Sequence, residues 1–299
     1  MNRKLDNVYK LAKRIKIDDK TKIVIMSDCH RGAGDSYDNF LKNEGIYDGA
    51  LIYYYNNGYT YVELGDGDDM WEVRDYEDIT QVHLDTFKQL KKFYDDNRLI
   101  MVYGNHDIVK RVPLILEKYF YRYYDWELKR EEALLEGLVV YEGLVLDYYG
   151  KEIFLVHGHQ VDFLNSTLWR LSRFLVRYGW RGLEYLGIKD PTSTAKNYLV
   201  GRNIERKLER WSQQRNKIVI AGHTHRPIFP NNSESLYFND GSCIHPNGIT
   251  CIEIEGGNIT LVKWGFRAVE DKKNLLAVKR RVLKGSEPIR QFFKNDRDI

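Results

Sequence analysis

Five short apolar runs, each followed by a cluster of reactive side chains, constrain this chain more than any other feature. Lys22–Ser27, Thr60–Leu64, Leu99–Tyr103, Ile153–Val156 and Lys217–Ala221 are rich in Val, Ile, Leu and Tyr. Runs of this kind suit strands buried on both faces. Just behind them stand Asp28-Cys29-His30, Gly65-Asp66-Gly67-Asp68-Asp69, Gly104-Asn105-His106-Asp107, His157-Gly158-His159 and Gly222-His223-Thr224-His225. Of the 8 His in the chain, only His83 and His245 lie outside these clusters. Open α/β sheets bind ligands at the carboxyl ends of their strands, so five strands deliver Asp, Asn and His to one edge.

The remaining pattern supplies the scaffold. Val139–Asp147, Leu236–Phe238, Gly248–Glu255 and Asn258–Trp264 alternate and read as antiparallel strands, the last two joined at Gly256-Gly257. Leu5, Val8, Tyr9, Ala12 and Ile15 recur at helical spacing and draw one apolar stripe. Asp38 to Tyr55 and Ile79 to Phe93 read as helices between the first strands. Strands alternating with helices, then a later run of strands, indicate an α/β core around a mixed sheet.

Composition narrows the classes. The 299 residues carry 46 Lys+Arg against 43 Asp+Glu, so net charge gives no global signal for nucleic acid. No apolar stretch reaches the roughly 18 residues of a membrane-spanning helix. Met1 to Lys20 lacks the apolar segment of a secretory signal. The 3 Cys form no C-x-x-C pair, and a reducing, cytoplasmic compartment is the expectation.

Carboxylate, amide oxygen and imidazole together suit divalent Mn, Fe, Zn or Co. In a D-x-H unit leaving a strand, residues i and i+2 point the same way, so Asp28 and His30 can reach one ion. His223 and His225 repeat the spacing. Two ions require an anionic bridge, for which Asp66 is the natural candidate. Two metals roughly 3.5–4 Å apart can clamp a phosphoryl group for in-line attack.

In these five blocks the sequence resembles the calcineurin-like metallophosphoesterase superfamily, whose pattern is D-x-H, G-D-x-x-D, G-N-H-D/E, a lone H, then G-H-x-H. The blocks stand in that order from Asp28 to His225. The resemblance implies a four-layer α/β/β/α sandwich and hydrolysis of a phosphodiester, phosphomonoester or pyrophosphate by metal-bound hydroxide. It implies that Asp28, His30 and His225 hold one divalent ion, Mn first among the candidates. Asn105, His157 and His223 would hold a second, and Asp66 would bridge. His106 would serve as general acid or stabilise transition-state charge, oriented by Asp69. His159 competes with His157, and Asp68 with Asp69. Met70 and Asp107 stand where the Ser/Thr protein phosphatases of the superfamily carry Arg and Glu, which argues against that activity.

Residues 160–217 differ in character, with twelve Lys or Arg against five acids and little strand signal. They read as a helical insertion, broken at Asp190-Pro191, between core segments 1–159 and 218–270; residues 271–299 form a basic C-terminal segment. The insertion resembles the lid of UDP-diacylglucosamine pyrophosphatases. Arg170, Arg173 and Arg177 form an i, i+3, i+7 stripe suited to phosphate or headgroup, with peripheral membrane contact and a lipid-linked or nucleotide substrate as corollaries. A nuclease, a cyclic-nucleotide phosphodiesterase and an inert binding scaffold are the rivals. Among the other residues, Cys29 should point away from the metals and His245 should lie in a loop. Arg31 is a candidate phosphate contact, His83 a surface or packing residue, and Lys279-Arg280-Arg281 a solvated tail or helix face.

Overall fold

Two mixed sheets lie face to face, with helices on their outer sides, forming the four-layer sandwich. The structure is a computed structural model, and it describes residues 3–166, 169–175, 198–231, 235–268 and 276–293. In chain order the strands are β1 (Lys13–Ile17), β2 (Lys22–Met26), β3 (Thr60–Leu64), β4 (Leu99–Val102), β5 (Arg122–Asp125), β6 (Arg130–Ala133), β7 (Val140–Tyr141), β8 (Gly143–Tyr148), β9 (Lys151–Val156), β10 (Ile218–Ala221), β11 (Tyr237–Asn239), β12 (Ile249–Glu255), β13 (Asn258–Ala268) and β14 (Leu276–Pro288). One sheet runs β14-β13-β12-β2-β3-β4-β7 and the other β1-β8-β9-β10-β11, while β5 and β6 form a separate hairpin.

The helices are α1 (Arg3–Leu11), α2 (Glu44–Asn56), α3 (Tyr76–Val82), α4 (Leu84–Asp95), α5 (Pro113–Phe120), α6 (Phe163–Ser166), α7 (Trp169–Leu175) and α8 (Tyr198–Arg215). Tyr47 and Leu51 of α2 and Phe87, Leu90 and Phe93 of α4 join Val24, Tyr61 and Met101 in one core on the outer face of the larger sheet. Ile25, Val62, Val102, Leu155, Ile220 and Ile252 form a second core between the sheets. Leu5 and Val8 of α1 and Ile204, Leu208 and Trp211 of α8 cover the outer face of the smaller sheet. The C-terminal part of the insertion is thus packed into the sandwich.

Several elements differ from the sequence reading, each for a local reason. The N-terminal helix ends at Leu11, and Ile15 lies in β1, which pairs in parallel with β8. The stripe is therefore divided between two cores: Leu5, Val8, Tyr9 and Ala12 pack on the outer face of the smaller sheet, and Ile15 packs between the sheets. The helix expected from Asp38 starts at Glu44, because the Asp38 carboxylate accepts from the Gly34 and Phe40 amides and holds a loop. Val139–Asp147 is cut into β7 and β8, which belong to different sheets. Tyr237–Asn239 pairs in parallel with β10 rather than antiparallel. Ile79–Phe93 is two helices that meet at His83. His83 is fully buried and binds Asp38 at 2.9 Å and Glu44 at 2.7 Å. The C-terminal basic run is strand β14, with Arg280 paired to Glu253. The break at Asp190-Pro191 lies outside the described residues.

Candidate metal centre

The edge where β2, β3, β4, β9 and β10 end gathers the reactive clusters. β2, β3 and β4 are parallel in one sheet, and β9 and β10 are parallel in the other, so their carboxyl ends meet across the seam. Asp28, His30 and His225 bring ligand atoms within 4.8 Å of one another, as do Asp66, His157 and His223. Nε2 of His225 lies 3.0 Å from Asp28 Oδ1, and Nε2 of His157 lies 3.1 Å from Asp66 Oδ2. Asp28 and His30 converge, but not by the expected alternation of an extended strand. Asp28, His30, Asp66, His223 and His225 all have φ between 51° and 66°, in the left-handed region that side chains rarely occupy. Residues held this way persist only where the surroundings over-determine them, and such strain clusters at functional sites.

Backbone lacing enforces these conformations. The amides of Asp28, His30 and Arg31 donate to the carbonyls of Gly65, Asp66 and Gly67 at 3.0, 2.9 and 3.0 Å. The His106 amide donates to Asp66 Oδ1 at 2.8 Å. Gly104 is required here, since a Cβ would stand 2.1 Å from that same oxygen. Asp107 accepts from the Gly104, Asp66 and Gly67 amides at 2.7, 3.3 and 3.2 Å and so ties the second and third loops together.

Asp28 Oδ1, His30 Nε2, Asn105 Oδ1 and His157 Nε2 are buried and make no hydrogen bond. Buried polar atoms left in this way are costly, and all four are donors of the type a divalent cation takes. The short approaches of His225 to Asp28 and of His157 to Asp66 likewise lie at distances suited to sharing a cation. The residues present therefore fit a metal. Burial alone would lower the pKa of His157, yet Asp66 and Asp28 hold it at about 9. Burial would raise Asp28, but His225 and His157 keep it well below the carboxylate range. A cage that draws protons onto imidazoles in this way also attracts a cation.

Of the paired candidates, His157 joins Asp66 and His223, whereas His159 does not. Burial, then the neighbouring His157 and His223, push the His159 pKa down. Asp69 Oδ1 lies 3.0 Å from His106 Nδ1. Asp68 turns away to Arg31 Nε at 2.6 Å and Lys110 Nζ at 2.6 Å. Arg31 is fully buried, with both terminal nitrogens on Glu63 at 2.8 and 2.9 Å, so it cannot meet a phosphate. Cys29 is buried in the apolar core on the helical side of the sheet, away from the ligands. His245 sits between β11 and β12, its Nε2 on the His225 carbonyl. Arg170 is exposed beside Trp169, Arg173 binds the Tyr76 hydroxyl, and Arg177 lies outside the described residues.

Sequence reasoning missed two contacts. Trp71 stacks on His106, and Asp162 Oδ2 lies 3.3 Å from His223 Nε2. Both residues stand within five positions of a recognised block, the only signal available.

The sequence profile of the calcineurin-like phosphoesterases matches residues 21–227, which is more than two thirds of the chain. The chain belongs to the calcineurin-like phosphoesterase family. As a calcineurin-like phosphoesterase it is a metal-dependent phosphate-ester hydrolase, and its Asp/His groups are of the kind that hold the metal. No curated protein matches it significantly. Among solved structures, a predicted phosphoesterase from Streptococcus pneumoniae is 16% identical, with a TM-score of 0.33, covering 87% of this chain and 98% of that one. Chaetomium thermophilum Vps29 is 11% identical, with a TM-score of 0.40, covering 91% and 100%. A cold-active protein-tyrosine phosphatase of a Shewanella species is 14% identical, with a TM-score of 0.39, covering 92% and 84%. Likenesses this distant add nothing to the assignment, which rests on the profile. Among the described residues no helix is long and apolar enough to cross a membrane.

Proposed function

We propose that this phosphoesterase is dinuclear. Asp28, His30 and His225 would hold one divalent ion, Asn105, His157 and His223 the second, and Asp66 both. The observation that carries this reading is the position of Asp66 Oδ2. It lies 3.9 Å from His30 Nε2 and 3.1 Å from His157 Nε2, between the two groups. Divalent ions bound there, with Mn first among Mn, Fe, Zn and Co, would acidify a water and polarise a phosphoryl oxygen. The chain's own residues do the rest. Asp69 accepts the Nδ1 proton of His106 and leaves Nε2 to hold the proton that passes to the leaving oxygen. Trp71 and Asp69 fix the ring that does this.

The insertion 160–217 is read as a cover over this site that selects larger anionic substrates, with Arg170, Arg173 and Arg177 as their contacts. Two observations support it. Arg173 binds Tyr76, seven residues after Asp69, and Arg111, five residues after His106, lies 5.7 Å from the Trp169 ring centroid. Helix α7 of the insertion therefore touches the segments behind both catalytic candidates. The test is elemental analysis of the purified chain together with turnover of bis-nitrophenyl phosphate. Two metals per chain and metal-dependent turnover are expected. A metal-loaded chain that cleaves no phosphoester would replace this reading with an inert scaffold.

A further inference from the structure

The larger sheet narrows to a two-stranded ribbon beside the metal centre. β12 pairs with β13 only as far as Ile249↔Trp264, whereas β13 and β14 stay paired to Ala268↔Leu276. β2 and β12 run antiparallel to Ile25↔Ile252, and beyond that pair the Asp28 carbonyl accepts from the Cys243 amide. The pairs from Gly265↔Lys279 to Ala268↔Leu276 project past the last β12 pair by roughly 13 Å, at about 3.3 Å per residue.

The two faces of this ribbon differ. Val262, Trp264 and Val278 pack on the helical side, whereas Ile259, Leu261 and Leu283 pack between the sheets. Successive residues alternate, so odd-numbered positions of both strands face the side on which the metal centre opens. Lys263, Arg267, Lys279 and Arg281 are all on that face, with Lys263 directly opposite Arg281. Arg267, Lys279 and Arg281 are exposed and Lys263 is half-buried. None of the four has an ion-pair partner among the described residues, whereas Arg280 on the other face is paired to Glu253. From 263 to 284 the sequence has eight Lys or Arg against two acids. Lys263 lies along Gly248, where a Cβ would stand 2.7 Å from its Cε, and His245 in the same loop reaches the His225 carbonyl. The strip thus starts at the loop that touches a candidate ligand.

We propose that this ribbon binds an extended chain of phosphodiesters whose scissile phosphate lies at the metal centre, with single-stranded nucleic acid as its source. The inference rests on the hydrolase reading above and narrows its substrate to a polymer. The four cations, from Lys263 to Arg267 and their neighbours on β14, span roughly 13 Å at about 3.3 Å per residue, more than one phosphate meets, whereas repeated phosphates match them. Lysines on edge strands also guard against aggregation. That role needs charge only where a strand lacks a neighbour, yet Lys263 lies on β13 where β12 and β14 flank it on both sides. An anionic membrane surface fits less well, because exposed Phe266 and Leu276 lie on the opposite face from the four cations.

The test uses the full chain freed of metal by a chelator and a fluorescein-labelled thymidine oligonucleotide of about twenty nucleotides, followed by anisotropy across a salt series. Each phosphate contacted on a single strand contributes about −0.7 to the slope of log K against log salt, so four cations predict a slope near −3. Changing Lys263, Arg267, Lys279 and Arg281 together to Ala should remove most of that slope and weaken binding at least about tenfold. Bis-nitrophenyl phosphate turnover by the metal-loaded variant should stay at the parental rate. Lys263→Arg with Lys279→Arg keeps the charge and should keep the slope. Competition by inorganic polyphosphate as strong as by unlabelled oligonucleotide would assign the source to any polyanion rather than nucleic acid and overturn that part of the proposal. Absent binding by the parent, or an unchanged slope in the fourfold variant, overturns the strip altogether. So does a fourfold variant that loses only its hold on phosphatidylglycerol vesicles. If oligonucleotide binding behaves as expected while the parent hydrolyses no phosphoester, the hydrolase reading fails and the strip stands.

Discussion

Trp71 lies flat on the imidazole of His106, with ring centroids 4.5 Å apart and planes 19° from parallel. His30 meets the same ring edge-on at 4.6 Å. Between them and Asp69, His106 has one orientation. Trp71→Ala should therefore lower kcat by about 10- to 100-fold, the scale of a small misplacement of a reacting group, with KM little changed. Trp71→Phe keeps a stacking face and should recover much of the loss. Steady-state kinetics of the two variants on an aryl phosphodiester checks this, and equal damage in both would deny the stack its orienting role.

His106→Ala should leave the metal content intact and reduce turnover by about 10²–10⁴-fold on poor leaving groups, as expected for loss of a general acid. Nitrophenolate needs no proton, so nitrophenyl esters should lose much less. The ratio of the two losses, measured with paired alkyl and nitrophenyl substrates, separates proton delivery from charge stabilisation.

Asp66→Asn removes the carboxylate that lies 3.1 Å from His157 Nε2 and 3.9 Å from His30 Nε2. Metal content by mass spectrometry is expected to fall at both positions. Retention of two tightly held ions would leave Asp66 without a bridging role.

Lys110 is 2% exposed and lies 2.6 Å from Asp68 and 2.9 Å from Asp107. Lys110→Met leaves both carboxylates buried without that cation. Breaking a buried pair from one side costs about 3–5 kcal/mol, so the urea midpoint should drop by the equivalent amount. Because Asp107 ties the second loop to the third, metal affinity measured by titration should fall too.

Burial would lower the pKa of His83, but the hydrogen bonds it donates to Asp38 and Glu44 raise it from 6.5 to about 9. A group raised on folding stabilises fully below its unfolded value and loses that contribution as pH climbs through the folded value. The parent should therefore lose more stability than His83→Gln between pH 6.5 and 9. Urea melts of both proteins at the two ends of that window measure the difference.

The candidate ligand set was legible because each block follows a buried strand and uses residue types that rarely cluster, and the structure brings Asp28, His30 and His225, and Asp66, His157 and His223, together. Its geometry was not. Alternation on an extended strand explained why Asp28 and His30 converge, whereas left-handed backbone held by Gly65 and Asp66 carbonyls does so in the structure. Arg31 misled because a charged residue just behind the D-x-H unit reads as free to meet a phosphate, and only folding brings Glu63 and Asp68 to it. His83 is a packing residue, one of the two roles its helical position allowed, and its partners Asp38 and Glu44 are distant in sequence. The direction of Tyr237–Asn239 depends on which strand it meets across the sheet, which a three-residue run does not encode. The basic run at 279–281 became strand because Val278 and Leu283 have cores to enter on opposite faces.

The left-handed ligands carry a consequence for the economy of the whole molecule. Asp28, His30, Asp66, His223 and His225 each occupy a conformation that glycine adopts freely and that costs other residues of order 1 kcal/mol or more. Of the ten non-glycine residues with positive φ among the described residues, five are thus candidate ligands. Among metal-free proteins, a chain crippled by His223→Gly should withstand heat better than its working parent. On the metal-centre reading, heat tolerance and competence pull in opposite directions here, and a bound ion would reconcile them.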